Sequence, residues 1–235
     1  MELNNYIDST LLKMDAKVEE INKLCEDAIK YHFETVCVSP YYVKYVSELL
    51  KDSNVGITTV IGFPNGYTTT STKEFEAIEA INNGATEIDM VINVSAFKNK
   101  DYDYVKHEIE TIRDAIDGKI LKVIIETNLL TPKEIAKITE ICNETFVNYI
   151  KTCTGFNGPV KLSDVEIISE NKNEVLEIKA SGGIKDIKQV EELIKLGVTR
   201  IGTSNAVNLM NNECSGDYCD NHECHCNECE CKEEE

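Results

Sequence analysis

The chain has 235 residues, enough for one large domain or two small ones with a sizeable core. Its net charge of −18 disfavours a nucleic-acid partner. No apolar run approaches the roughly 20 residues that span a bilayer, so no membrane partner is expected, and a start without a signal-peptide pattern reads as cytoplasmic.

From the N-terminus onward, short β-branched runs alternate with amphipathic helical patterns. The strand candidates are 7–10 (the weakest), 35–38, 57–61, 87–92, 121–125, 147–150, 176–178 and 199–201. After the first, Val18, Ile21, Cys25 and Ala28 share one helical face. Val105, Ile109, Ile112 and Ile116 make another, and Ile187, Val190, Leu193 and Ile194 a third. Thr131, Pro132 and Glu134 form a capping box with proline at the first helical position, while Gly84 and Gly197 close their helices. Alternating strand and helix implies a parallel sheet. An open doubly wound sheet and a closed barrel compete for that pattern. Eight strand candidates, and no Gly-x-Gly-x-x-Gly turn after the first, favour an α/β TIM (β/α)8 barrel over residues 1–210 with a short N-terminal helical segment.

Four of the apolar runs carry a charge: Asp89, Lys122, Lys151 and Lys179, separated by 33, 29 and 28 residues. Buried ionised groups are costly unless paired or put to use. A carboxylate and three amines recurring at the period of a strand plus a helix suggest one shared polar pocket. The alternative is that each charge edges its strand and reaches water. Lys151 and Lys179 are read as ending their strands, where a barrel places its catalytic groups.

An amine is a nucleophile only when unprotonated, and a second cation with partial burial lowers its pKa. Two lysines on adjacent strands therefore suit Schiff-base formation with a carbonyl, with Asp89 relaying a proton or holding a water. The competing view, a structural ion pair, accounts for one lysine but not two. Residue chemistry alone does not say whether Lys151 or Lys179 is the nucleophile. Ser181-Gly182-Gly183 and Gly202-Thr203-Ser204 follow the last two strands, where such barrels bind phosphate, and Thr154-Gly155-Phe156 offers a third wall. Each glycine turn alone is equally explained by tight turning. His32 and His107 sit in helical patterns at the surface, so no metal or other cofactor is expected for catalysis.

Residues 211–235 differ in kind: nine acidic residues, one lysine and six of the ten cysteines. Cys224, Cys226, Cys229 and Cys231 have the spacing of a thiophilic-metal site, and the segment lacks the apolar residues of a core, so a disordered Cys-rich tail is expected. A plain reduced acidic extension is the alternative. The earlier cysteines, Cys25, Cys37, Cys142 and Cys153, read as reduced and buried.

Ordered stretches over nearly the whole barrel resemble the deoxyribose-phosphate aldolase family. They include Ile7-Asp8-Ser9-Thr10, Val36-Cys37-Val38-Ser39-Pro40, Ile61-Gly62-Phe63-Pro64-Asn65-Gly66, Glu87-Ile88-Asp89-Met90-Val91, Lys122-Val123-Ile124-Ile125-Glu126-Thr127, Ile150-Lys151-Thr152-Cys153-Thr154-Gly155-Phe156, Lys179-Ala180-Ser181-Gly182-Gly183 and Arg200-Ile201-Gly202-Thr203-Ser204. The resemblance implies reversible cleavage of 2-deoxy-D-ribose 5-phosphate to glyceraldehyde 3-phosphate and acetaldehyde. It also implies Lys151 as the Schiff-base lysine and Asp89 and Lys179 as proton donors and acceptors, and it allows a homo-oligomer. Gly155, Gly182, Gly183, Gly202 and Ser204 would hold the sugar phosphate. Ser9, Cys153 and Asn205 depart from the family pattern, which often has His, Ser and Ser there. Another Schiff-base sugar-phosphate aldolase, or a metal-binding or interaction protein acting through its tail, are the other readings.

Overall fold

In the computed structural model, which describes residues 2–211, eight strands close into a barrel. They are β1 (Ile7–Leu11), β2 (Thr35–Val38), β3 (Gly56–Ile61), β4 (Glu87–Val91), β5 (Ile120–Ile124), β6 (Tyr149–Lys151), β7 (Glu177–Ser181) and β8 (Val198–Thr203). Every neighbouring pair is parallel, and β8 returns to pair with β1. The connecting helices are α1 (Val18–Tyr31), α2 (Val43–Leu50), α3 (Thr70–Asn82), α4 (Val94–Lys98), α5 (Tyr102–Ala115), α6 (Pro132–Glu144), α7 (Leu162–Asn171), α8 (Ile187–Lys195) and α9 (Ala206–Asn211). A 3-10 turn at Leu3–Tyr6 is the short helical segment expected at the start. Residues 212–235, with the proposed thiolate set Cys224, Cys226, Cys229 and Cys231, lie outside the described residues.

The strands are buried on both faces, which is why they read as nearly continuous apolar runs. The helical stripes behave as their spacing requires. Ile21, Cys25 and Ala28 of α1, Val105, Ile109 and Ile112 of α5, and Val190 and Leu193 of α8 are buried against the sheet. Thr131 and Glu134 make the reciprocal capping box at α6. All four early cysteines are buried and unbridged.

Two strands run two or more residues past their expected ends, the others ending within one residue of expectation. β7 runs through Ser181 rather than stopping at 178, so Lys179 is interior to its strand and does not end it. β8 likewise takes in Gly202 and Thr203. The cause is alternation: Ile178 and Ala180 join the helix-packed core, whereas Lys179 turns into the barrel interior. A search for apolar runs stops at the first inward-facing polar residue.

One buried pair lies outside the barrel interior. Lys73 of α3 and Glu108 of α5 meet at 2.6 Å with both side chains fully buried. Lys73 also donates to the Val91 carbonyl at 2.8 Å, and Glu108 accepts from Asn93 N–H at 3.0 Å, so the pair ties the two helices to the end of β4. Burial pushes Lys73 down and Glu108 up, each against the attraction of its partner. Truncating one member strands the other charge. Glu108→Ala is expected to cost about 3–5 kcal/mol, read as a lowered urea midpoint.

Candidate active site

The barrel interior brings together all four charges singled out in the sequence and adds three more. Register does the first part of the work. Asp89 is the cross-strand partner of Lys122, and Lys151 of Lys179, so each pair projects from one level of the barrel. Asp8 on β1, Glu87 on β4 and Arg200 on β8 complete the set, and each of the seven residues is at most 4% exposed. The alternative in which each charge edges its strand and reaches water is therefore set aside: these are interior groups.

Their contacts form an alternating chain. Asp89 Oδ1 accepts from Lys122 at 2.8 Å, while its Oδ2 accepts from both Lys151 and Lys179 at 2.7 Å. Lys179 also holds Asp8 Oδ2 at 2.5 Å, and Lys122 holds Glu87 Oε2 at 2.5 Å. Arg200 Nη1 closes the chain, at 2.8 Å from Asp8 Oδ1 and 3.2 Å from Glu87 Oε2. Lys122 and Glu87 share a bond to the Thr58 hydroxyl, at 3.2 and 3.1 Å. Gly202 has a definite task here. A Cβ at this position would lie 3.1 Å from Lys179 Cε, so its absence leaves room for the lysine stem.

The two candidate nucleophiles separate electrostatically. Burial lowers the Lys151 pKa; the attraction of Asp89 opposes this and the nearby Lys179 ammonium adds to it. Burial also disfavours the charge on Lys179, but Asp8 and Asp89 together outweigh it and hold Lys179 above the usual lysine range. Of the two causes inferred from sequence, burial thus outweighs crowding by a second cation. Asp89 and Asp8 are pulled below the usual carboxylate range, because the surrounding cations overcome the cost of burial. Lys122 is held above its usual value, its carboxylate partners outweighing burial and the repulsion of Lys179.

At the C-terminal ends of the strands, three loops meet. Gly155 follows β6, Gly182 and Gly183 follow β7, and Ser204 follows β8; Gly202 is not among them, since it lies on β8 beside Lys179. Gly182, at φ +106°, carries a second constraint: a Cβ there would sit 3.2 Å from both Cys153 Cβ and the Gly158 carbonyl. Close packing of the β6 and β7 loops therefore needs this glycine whether or not an anion binds. Asn205 donates to the Lys185 carbonyl at 3.0 Å, linking the β7 and β8 loops. Cys153 Sγ accepts from Asn128 at 3.4 Å. Ser9 is buried. Glu126, buried beyond β5, accepts from the Thr154 hydroxyl and from Asn157 Nδ2 at 3.0 Å, and so braces the loop that follows Lys151.

Sequence reading passed over Asp8, Glu87 and Arg200. A signal existed: Glu87 and Asp89 stand two apart on one strand and must share a face, as must Arg200 and Gly202.

The DeoC/LacD family aldolase model matches residues 5–208. A deoxyribose-phosphate aldolase of Metamycoplasma hominis is 50% identical over 197 residues, spanning 83% of this chain and 91% of that protein. Another, of Finegoldia magna, is 46% identical over 211 residues, spanning 89% and 99%. Among solved structures, one described as QR15, an aldolase, superposes with a TM-score of 0.86 at 38% identity, covering 89% of this chain and 95% of its own. A deoxyribose phosphate aldolase from Aeropyrum pernix, described as having a unique tetrameric structure, gives a TM-score of 0.84 at 29% identity, covering 89% of this chain and 90% of its own.

Proposed function

This chain belongs to the DeoC/LacD family of aldolases, and from that premise we propose that it cleaves 2-deoxy-D-ribose 5-phosphate reversibly through a Schiff base on Lys151. The observation that carries this reading is the shared oxygen. Lys151 and Lys179 both hold Asp89 Oδ2 at 2.7 Å in a buried site, yet burial lowers the pKa of one while two carboxylates raise that of the other. One amine is thereby prepared to attack and its neighbour to remain a proton donor.

The steps follow from that division. The free Lys151 amine adds to C1 of the open-chain aldehyde, and loss of water gives a protonated imine. A base removes the proton of the C3 hydroxyl; the C2–C3 electron pair moves toward the iminium, and glyceraldehyde 3-phosphate leaves. The remaining enamine takes a proton at C2, and water returns to C1 to release acetaldehyde and free Lys151. Asp89 and Lys179, hydrogen-bonded to each other beside Lys151, supply the proton path. The sugar phosphate would rest against the loops bearing Gly155, Gly182, Gly183 and Ser204, with Gly202 shaping the lysine pocket beneath. The acidic segment 211–235, read as a thiophilic-metal binder, has no part in this chemistry.

Incubation with 2-deoxy-D-ribose 5-phosphate is expected to release acetaldehyde and glyceraldehyde 3-phosphate in equal amounts. Release from a different sugar phosphate alone would point to another Schiff-base aldolase, and the absence of any aldehyde adduct on the protein would remove the mechanism altogether.

A further inference from the structure

Seven charged side chains meet in the barrel interior, three of them carboxylates and four of them bases. Asp8, Glu87 and Asp89 face Lys122, Lys151, Lys179 and Arg200, with every side chain no more than 5% exposed. Fully ionised, the set carries one excess positive charge where water cannot screen it. Release of a single proton balances it.

The contacts say which base gives up that proton. A guanidinium does not deprotonate in proteins. Lys122 holds Glu87 and Asp89 at 2.5 and 2.8 Å, and Lys179 holds Asp8 and Asp89 at 2.5 and 2.7 Å. Lys151 is held by Asp89 alone, through an oxygen it shares with Lys179. The excess proton is least well retained there. We propose that Glu87 and Arg200, which touch neither Lys151 nor the loops, are positioning residues that set the charge on Lys151 by fixing the balance of this buried network. The proposal rests on the reading of Lys151 as the imine-forming lysine.

The rest of the surroundings are accounted for. Asp8 enters from β1, Cys37 from β2, Asp89 from β4, Lys122 from β5, Lys179 from β7 and Arg200 from β8. Burial pushes the Cys37 thiol up, so it adds no charge. β3 contributes Thr58, which bonds Lys122 and Glu87 and does not titrate in the range concerned. Glu34 reaches Arg200 Nη2 at 3.5 Å, but its side chain is 44% exposed and screened by water. Tyr149 lies under the guanidinium at 5.4 Å. Glu126 faces the β6 loop instead.

The test is the rate at which cyanoborohydride traps acetaldehyde on the full chain between about pH 5 and pH 9, followed by intact mass. Glu87→Gln removes an anion and should move the acid limb of that profile to lower pH by roughly half to one unit. Arg200→Met removes a cation and should move it by a similar amount to higher pH, while Arg200→Lys, which keeps the charge, should restore it toward the parent. Opposite shifts support the proposal, because loss of packing has no reason to change sign between the two variants. Limbs that coincide with the parent, or shift the same way, overturn it. If Arg200→Met does not fold, the direction found for Glu87→Gln decides. A parent protein that traps no aldehyde refutes the Lys151 reading and this proposal with it; a trapping parent with unshifted variants refutes this proposal alone.

Discussion

Lys151→Ala is expected to abolish reductive trapping of acetaldehyde and to lower turnover by about 10⁴-fold or more, since the covalent route is lost and only binding and polarisation remain. The fold should survive. Lys151 lies at the end of β6, and its ammonium is one that burial already disfavours. Its partner Asp89 keeps Lys122 and Lys179 after the change. Lys151→Met, which fills most of the vacated volume, is therefore expected to match or exceed the parent in thermal stability. The pH dependence has a definite sign. A lysine whose folded-state pKa lies below the unfolded value costs stability below the folded pKa, and that cost shrinks as pH rises toward the usual value of 10.5. The Met variant should thus gain most over the parent in mildly acidic solution and least in alkaline solution. Full trapping in Lys151→Ala would transfer the nucleophile's role to another residue, with Lys179 next in line.

Lys179 is held differently from Lys151. Sequence placed it at a strand end on an equal footing with Lys151. In the barrel it is interior to β7 and grips two carboxylates, one of them Asp8, which no apolar-run search would flag. The alternation of strand and helix, the barrel, the eight strands and the pairing of Lys151 with Lys179 were all legible, because each follows from local periodicity. The partners that distinguish the two lysines were not. Asp8 and Lys179 are 171 positions apart in the chain and meet only because β8 closes onto β1. Gly202 was misread for a related reason. In sequence it looks like a turn glycine, yet its absent side chain makes space on β8 for a lysine stem from β7. The Lys73–Glu108 pair went unnoticed because each residue sits among charged neighbours on a helix, where exposure is the usual state.

Asp89→Asn should produce the second large effect, and it separates charge from proton transfer. The carboxylate serves three ammonium groups, so its loss leaves Lys122, Lys151 and Lys179 without their common anion. A destabilisation of about 3–5 kcal/mol at neutral pH is expected from stranding buried charge. Because the cations hold the Asp89 pKa well below its ordinary 3.8, the carboxylate's contribution is present above that value and is lost as pH falls through the depressed one. The deficit of the variant, measured as the difference in urea midpoints, should therefore be constant from neutrality to about pH 4 and narrow in stronger acid. Chemistry should respond in two directions at once. Without the anion, Lys151 loses its proton more readily, so imine trapping should persist and extend to lower pH. Turnover should nevertheless fall by about 10²- to 10⁴-fold, since the amide cannot accept and return the proton that C–C cleavage requires. Trapping lost in parallel with turnover, in a variant that remains folded, would mean that Asp89 acts by orienting Lys151 and not by moving protons.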